Sequence, residues 1–262
     1  MLRDIILGLV QGLTEFLPVS SSGHLVIVPA VLGWEEPSLG LTVFLHLGTL
    51  LALLVYFRRE LITLFLGVLG QGEDPAQARR MVRFLIIGTI PAVIAGVAFG
   101  SFFEGSFQRP YETCVELVIT AGILVATERL GERARRRPLD DTRAAGIGVA
   151  QALAILPGIS RSGSTIGAGL WFGMSREEAT RFSFLLSVPA IAGAGVLDLA
   201  KGELQVDSAS MAGFVVAAVS SYLSIAVLLR FVRTHSLRVF AGYLLVAAPL
   251  AAIVIALRSP VP

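Results

Sequence analysis

"QGLTEFLPVSSSGHL" (residues 11–25) sets a glutamate, three serines and a histidine within ten positions of one another, in a chain that is otherwise strongly apolar. The apolar residues leading into it, 4–16, read as a helix of about 20 Å at 1.5 Å per residue. That is too short for a bilayer core, which takes roughly 20 residues. Pro18 lacks an amide N–H and disfavours helix at Leu17, and after "VSSSG" a second short helix is expected to begin near His24. The segment therefore reads as a re-entrant hairpin that dips in and returns. Residues 144–156, the turn "PGISRSG" and a following helix repeat the design.

The rest of the chain supports a membrane setting. Of 262 residues, 55% are apolar and 15% are charged, with mean hydropathy +0.78; soluble domains carry about 25% charged residues. The composition predicts an all-α polytopic membrane protein forming one integral membrane domain over 1–262. Apolar runs at 41–57, 81–102 and 113–127, and again at 179–199, 211–229 and 239–257, are the expected crossings. The single cysteine, Cys114, excludes an internal disulfide and is expected to pack. Asp4 and Glu15 in the first segment, with no A-x-A site, predict that the N-terminus belongs to the mature fold. Basic residues are divided among short loops, which argues against nucleic-acid binding. Zinc, Walker and dinucleotide motifs are absent.

A shift of 140 positions aligns Gln11 with Gln151, Ser20 with Ser160, Ser22 with Ser162, Gly23 with Gly163 and Phe44 with Phe184, while Pro18 and Pro157 miss by one. Each half is then one hairpin plus three crossings: about 1–130, a linker at 131–143, and about 144–262. Three crossings are odd in number, so the second half is expected to be inverted relative to the first. Sixteen of the 21 basic residues fall on one side, in clusters near 58–59, 79–83, 129–143, 176–181 and 230–238. Arg3, Arg109, Lys201 and Arg258 fall on the other, and Arg161 lies in the second hairpin. By the positive-inside rule the arginine-rich side is cytoplasmic, which puts both termini and the first hairpin outside. The two serine-rich tips are expected to meet near the midplane.

The residue types at those tips suit an anion. Gln11 and Glu15 share a helical face at i,i+4. An ionisable group at membrane depth calls for a function or a partner, and Arg161 is the natural one. Half-helices starting after the two turns would aim free N–H groups and positive dipole ends into a shared cavity. Serine hydroxyls and a planar guanidinium fork complete a donor set suited to phosphate.

These stretches, together with "FLHLGTLLAL" and "GMSREEATRFSFLLSVPAI", resemble the bacterial undecaprenyl-diphosphate phosphatase family, also called the bacitracin-resistance family, over essentially the whole chain. The resemblance implies hydrolysis of the terminal phosphate of a C55 isoprenyl diphosphate lipid, which recycles the carrier for peptidoglycan synthesis and confers bacitracin resistance. It also implies help from a divalent metal (Mg²⁺ or Ca²⁺), a homodimer in the bacterial inner membrane, and a pocket open to the outer, periplasmic side. By position, the family's acidic pair falls on Gln11 and Glu15, its serine and histidine on Ser21 and His24, and its arginine on Arg161 between Ser160 and Ser162. Many members carry Glu at the first acidic position. The Gln here leaves Glu15 to serve as charged ligand or base. The resemblance thus marks Glu15, Ser21, His24 and Arg161 as catalytic, with His24 as acid or base. Gln11, Ser20, Ser22, Gly23, Ser160, Ser162, Gly163 and Thr165 are expected to bind substrate, with Glu15 and Gln11 as metal ligands. Attack by Ser21 and attack by water are both compatible with the residues.

Plainer roles compete at several positions. Ser20, Ser21 and Ser22 could only cap a helix, and His46 in "FLHLG" reads as a packing or supporting residue, its nearness in sequence to the first hairpin leaving a substrate role open. Ser175 and Glu178 fit a capping box, and Glu116 and Glu128 near span ends are expected to snorkel. The competing function is a transporter or lipid flippase with a midplane anion site. A non-catalytic scaffold leaves the converging polar tips unexplained.

Overall fold

The computed structural model of the chain describes residues 1–106, 109–201 and 206–258. Among the described residues the regular structure is entirely helical: α1 (Leu2–Thr14), α2 (Ser21–Leu32), α3 (Leu39–Tyr56), α4 (Arg58–Val68), α5 (Pro75–Ser106), α6 (Pro110–Arg133), α7 (Asp141–Leu153), α8 (Arg161–Trp171), α9 (Arg176–Lys201), α10 (Ser208–Phe231) and α11 (Arg238–Arg258). The side chain of Lys201, and residues 259–262 at the end of the second expected repeat, lie outside the described residues.

α1–α2 and α7–α8 are the two expected pairs of short helices, each helix 11 to 13 residues long. Their bounds differ from the sequence reading. α1 ends at Thr14 and α2 begins at Ser21 rather than near His24, because the Ser20 hydroxyl accepts the amide of Gly23 and starts the helix there. α7 begins at Asp141, capped by Asp140. Five described helices (α3, α5, α9, α10 and α11) have the length and apolar composition of a crossing. α6, the sixth expected crossing, is 24 residues long but carries Glu112, Glu116 and Glu128, and it falls short of that composition. α4 was not anticipated; its Ile62 and Phe65 are exposed.

Lipid tails are as apolar as leucine, so helices in a bilayer associate through close packing of small residues more than through the hydrophobic effect. Gly8 of α1 lies against Gly213 of α10, where a Cβ would stand 2.2 Å from the Gly213 carbonyl oxygen. Gly148 of α7 lies in the same way against Gly88 of α5, at 2.5 Å. Gly8 and Gly148 are themselves 140 positions apart. Further along, Ser221 and Ser224 of α10 donate to the carbonyls of Gly12 and Leu13, so α1 and α10 run in the same direction. Phe44–Phe214 and Tyr56–Tyr222 ring contacts align α3 with α10 as well. α9 runs antiparallel to α3, from Phe184 on Phe57 at the end of α3 to Gly195 under Leu47.

Ion pairs knit the arginine-rich end together. Arg83 meets Asp141, Arg181 meets Glu60, Arg233 meets Glu177 and Arg238 meets Glu132. The capping box is present: Glu178 accepts the Ser175 amide, and Ser175 accepts the Glu178 amide. Glu128 does not snorkel. It is 1% exposed, grips Arg176 through Nε and Nη2, and accepts the amide of Leu237. Cys114 is buried, as expected.

Candidate active site

Glu15 is the residue that ends α1. The turn behind it is anchored by Phe16, which is fully buried with its ring edge-on to Phe184 at 5.1 Å. Pro18 completes the turn. Ser20 follows with φ 66°, the only positive φ at a non-glycine residue among those described. Such a backbone costs of order 1 kcal/mol and persists only where its surroundings enforce it. Three bonds do so here. Ser20 Oγ donates to the Pro157 carbonyl, its oxygen also accepts the Gly23 amide, and the Ser20 carbonyl accepts from His24 Nδ1 at 2.7 Å.

The second tip is built the same way. Ser160 caps α8 by accepting the Gly163 amide, and Ser162 Oγ reaches across to the Leu17 carbonyl of the first tip at 2.9 Å. α6 holds this turn from behind. Glu116 accepts the Gly158 amide at 2.9 Å, while Thr120 Oγ1 donates to the Gly158 carbonyl and accepts the Ser160 amide. A Cβ on Gly158 would lie 2.3 Å from Glu116 Cβ, so only glycine fits beneath that clamp.

Where the tips meet, four side chains converge on one carboxylate. Arg161 Nη2 pairs with Glu15 Oε1. Ser21 Oγ donates to Oε2 at 2.5 Å, Gln11 Nε2 donates to Oε2 at 2.7 Å, and His46 Nε2 lies 3.5 Å from it. His46 Nδ1 already donates to the Thr42 carbonyl, so the contact with Glu15 attracts only when both ring nitrogens carry protons. Two buried polar atoms beside the carboxylate have no hydrogen-bond partner among the described residues: Arg161 Nη1 and Gln11 Oε1. Arg161 therefore keeps half of its fork for a ligand, and Gln11 keeps an acceptor. The first amides of both short helices, at Ser21, Ser22, Arg161 and Ser162, have no acceptor among the described residues.

Glu15, Ser21, Ser22, His46, Arg161 and Ser162 line one end of a cavity of about 740 Å³, with Gln11 buried behind Glu15. Its polar end is formed by Glu15, His46, Gln151 and the two serine turns. Its walls are apolar, with Ala92, Val93 and Val97 of α5 facing Ile191, Val196 and Leu197 of α9. A charged head with a hydrocarbon tail matches both ends.

The structure brings Gln11, Glu15, Ser20, Ser21, Ser22, Arg161, Ser160 and Ser162 together. Gly23 and Gly163 serve the two caps. Thr165 turns inward within α8, to the Arg161 carbonyl and Ser183. His24, expected as acid or base, is absent from the cavity lining. Its Nδ1 is held by Ser20 and its Nε2 accepts from the Tyr243 hydroxyl at 2.8 Å. His46, for which packing was the first expectation and a substrate role the alternative, lines the cavity. The signal for the alternative was its nearness in sequence to the first hairpin. Glu116 and Thr120 were not anticipated in any role at the site.

Fold and site together define a polytopic, all-helical membrane protein with a polar cluster buried between two pairs of short helices, at one end of an apolar-walled cavity. The chain belongs to the family described as bacitracin resistance protein BacA, whose model matches residues 4–250. It is 45% identical to an undecaprenyl-diphosphatase of Moorella thermoacetica, over 98% of this chain and 99% of that one. It is 42% identical to one of Rubrobacter xylanophilus (96% and 97%) and 44% identical to one of Geobacter sulfurreducens (94% and 95%).

Proposed function

We propose that this protein hydrolyses undecaprenyl diphosphate to undecaprenyl phosphate and inorganic phosphate, recycling the lipid carrier of peptidoglycan precursors. The names of its relatives support this reading. The observation that carries it is the meeting of Glu15, Ser21 and Arg161 at the polar end of a cavity with hydrocarbon-compatible walls.

In this account the diphosphate lies against the free Nη1 of Arg161 and the first amides of α2 and α8. These donors are fixed before charge develops on the transferring phosphoryl group, and such preorganisation is where most of the rate comes from. Ser21 Oγ attacks the terminal phosphorus and its proton passes to Glu15. The P–O bond to the bridging oxygen breaks, and the lipid monophosphate leaves. Water then cleaves the phosphoserine. His46, 3.5 Å from Glu15, is the next acceptor for the proton. His24 acts by holding the Ser20 turn.

The residues fit a shared metal ion. Glu15 and the unpartnered Gln11 Oε1 are hard oxygen donors for Mg²⁺ or Ca²⁺, whose other ligands would be diphosphate oxygens and water. When bound, the ion would neutralise charge on the diphosphate.

Antiparallel α3 and α9, and the matched Gly8–Gly213 and Gly148–Gly88 contacts, support an inverted repeat. The arginine asymmetry supports a cytoplasmic arginine-rich end in the inner membrane, with the cavity opening to the outer leaflet. A homodimer belongs to the same proposal. Lipid transport is the competing reading, favoured by one observation: α5 and α9 flank the cavity, while α10 and α3 are closed on each other by ring contacts, Phe44 stacked on Phe214 and Tyr56 edge-on to Tyr222. Phosphate release from isoprenyl diphosphate by purified protein, with and without chelator, decides between them. Absence of release across several detergents and lipids would favour transport.

A further inference from the structure

A second and larger cavity, of about 1030 Å³, opens at the arginine-rich end, well away from the serine turns. Arg59, Arg181, Arg230 and Arg233 line it with Glu60 and Glu177, and Tyr56, Phe57 and Phe231 supply aromatic wall. Two of the four arginines are already matched: Arg181 pairs with Glu60 and Arg233 with Glu177, each at 2.8 Å. Among the described residues, the guanidiniums of Arg59 and Arg230 have no partner, so the cavity carries two uncompensated positive charges. The remaining titratable side chain, His235, stacks on Phe231 with ring centroids 4.5 Å apart and shares a hydrogen bond with Thr234.

The cavity also continues into lipid-facing surface. Val227 is part of its lining, and Val219, Leu223 and Val227 follow one another at four-residue spacing along α10, exposed at 58%, 58% and 63%. An apolar stripe leading out of a cationic cavity at a helix end is complementary to an amphipathic anion, not to a free one. We infer that this cavity binds the phosphate headgroup of an anionic membrane lipid, with Arg59 and Arg230 on the phosphate and the lipid tail along Val219, Leu223 and Val227. Arginine matches phosphate as a planar fork. The site uses none of the residues assigned to hydrolysis.

Native mass spectrometry of the detergent-purified full chain tests this, with phosphatidylglycerol, phosphatidylcholine and inorganic phosphate as separate probes. Phosphatidylglycerol is expected to remain bound at higher occupancy than phosphatidylcholine. That excess should fall by about fivefold for each arginine removed in Arg59→Gln and Arg230→Gln, with phosphate release from isoprenyl diphosphate unchanged. Millimolar inorganic phosphate should not displace the lipid. Should the double variant lose activity through misfolding, each single variant still has to show its share of the loss. Wild-type lipid occupancy in the variants overturns the inference. So does equal binding of both lipids, which would leave the cavity to an acidic protein segment, and so does displacement by inorganic phosphate, which would make it a site for free oxyanions.

Discussion

Glu15, which closes α1, and Arg161, which opens α8, are 146 positions apart in the chain and form an ion pair where the two serine-rich turns touch. The Glu15 side chain is 4% exposed and that of Arg161 19%. Removing one partner of such a buried pair leaves an uncompensated charge, at a cost of about 3–5 kcal/mol. The pair is therefore both a fastening between the hairpins and the charged centre of the site.

Glu15→Gln keeps the shape and the bond to Ser21 but removes the base and the charged metal donor. Phosphate release should fall by about 10²–10⁴-fold. Wild-type turnover with unchanged metal dependence in this variant would strip Glu15 of both roles.

Arg161→Lys retains the charge and loses the fork, of which one nitrogen holds Glu15 and the other is free. Loss of a single preorganised donor typically costs about 10²–10³ in turnover. Steady-state kinetics should show the loss mainly in kcat. An unaffected kcat would remove the guanidinium from the transition state.

The two histidines should separate in a pH–rate profile. His46→Gln is expected to remove or shift one limb, because His46 faces Glu15 from inside the cavity. His24→Gln should leave the limbs in place and lower activity uniformly, and Tyr243→Phe should resemble it in a milder form, since that hydroxyl is the partner of His24 Nε2. A profile changed by His24→Gln and not by His46→Gln would reverse the assignment.

Thr120→Val strips both hydrogen bonds from the second turn while keeping the volume of the side chain. An unsatisfied buried group costs about 1–3 kcal/mol. The turn should loosen, lowering kcat by roughly tenfold or more with little change in KM, and Thr120→Ser should restore it. A KM effect alone, or failure of the serine to rescue, would argue against a positioning role.

The hairpins were legible because their signals are local: a helix too short to cross, a proline, and serines that cap. The Glu15–Arg161 pairing was legible for a different reason, since a carboxylate and a guanidinium at membrane depth each need a partner and few were on offer. What stayed hidden depends on long-range packing. His24 is buried outside the cavity lining, where Tyr243, 219 positions away, takes its Nε2. Glu116 and Thr120 look like ordinary span residues until α6 is laid against the second turn. The start of α2 at Ser21 rests on a positive φ that Ser20 adopts only because Pro157 and His24 hold it. α4 was missed because its apolar residues follow α3 almost without a break.

Both tips are expected to act on the same phosphate. A double-mutant cycle in phosphate release from C55 isoprenyl diphosphate, with Glu15→Gln, Arg161→Lys and the two combined, measures this directly. Strong coupling is expected, with the combined variant about as slow as the slower single one. Losses that simply multiply would mean that the two hairpins work independently, and would contradict it.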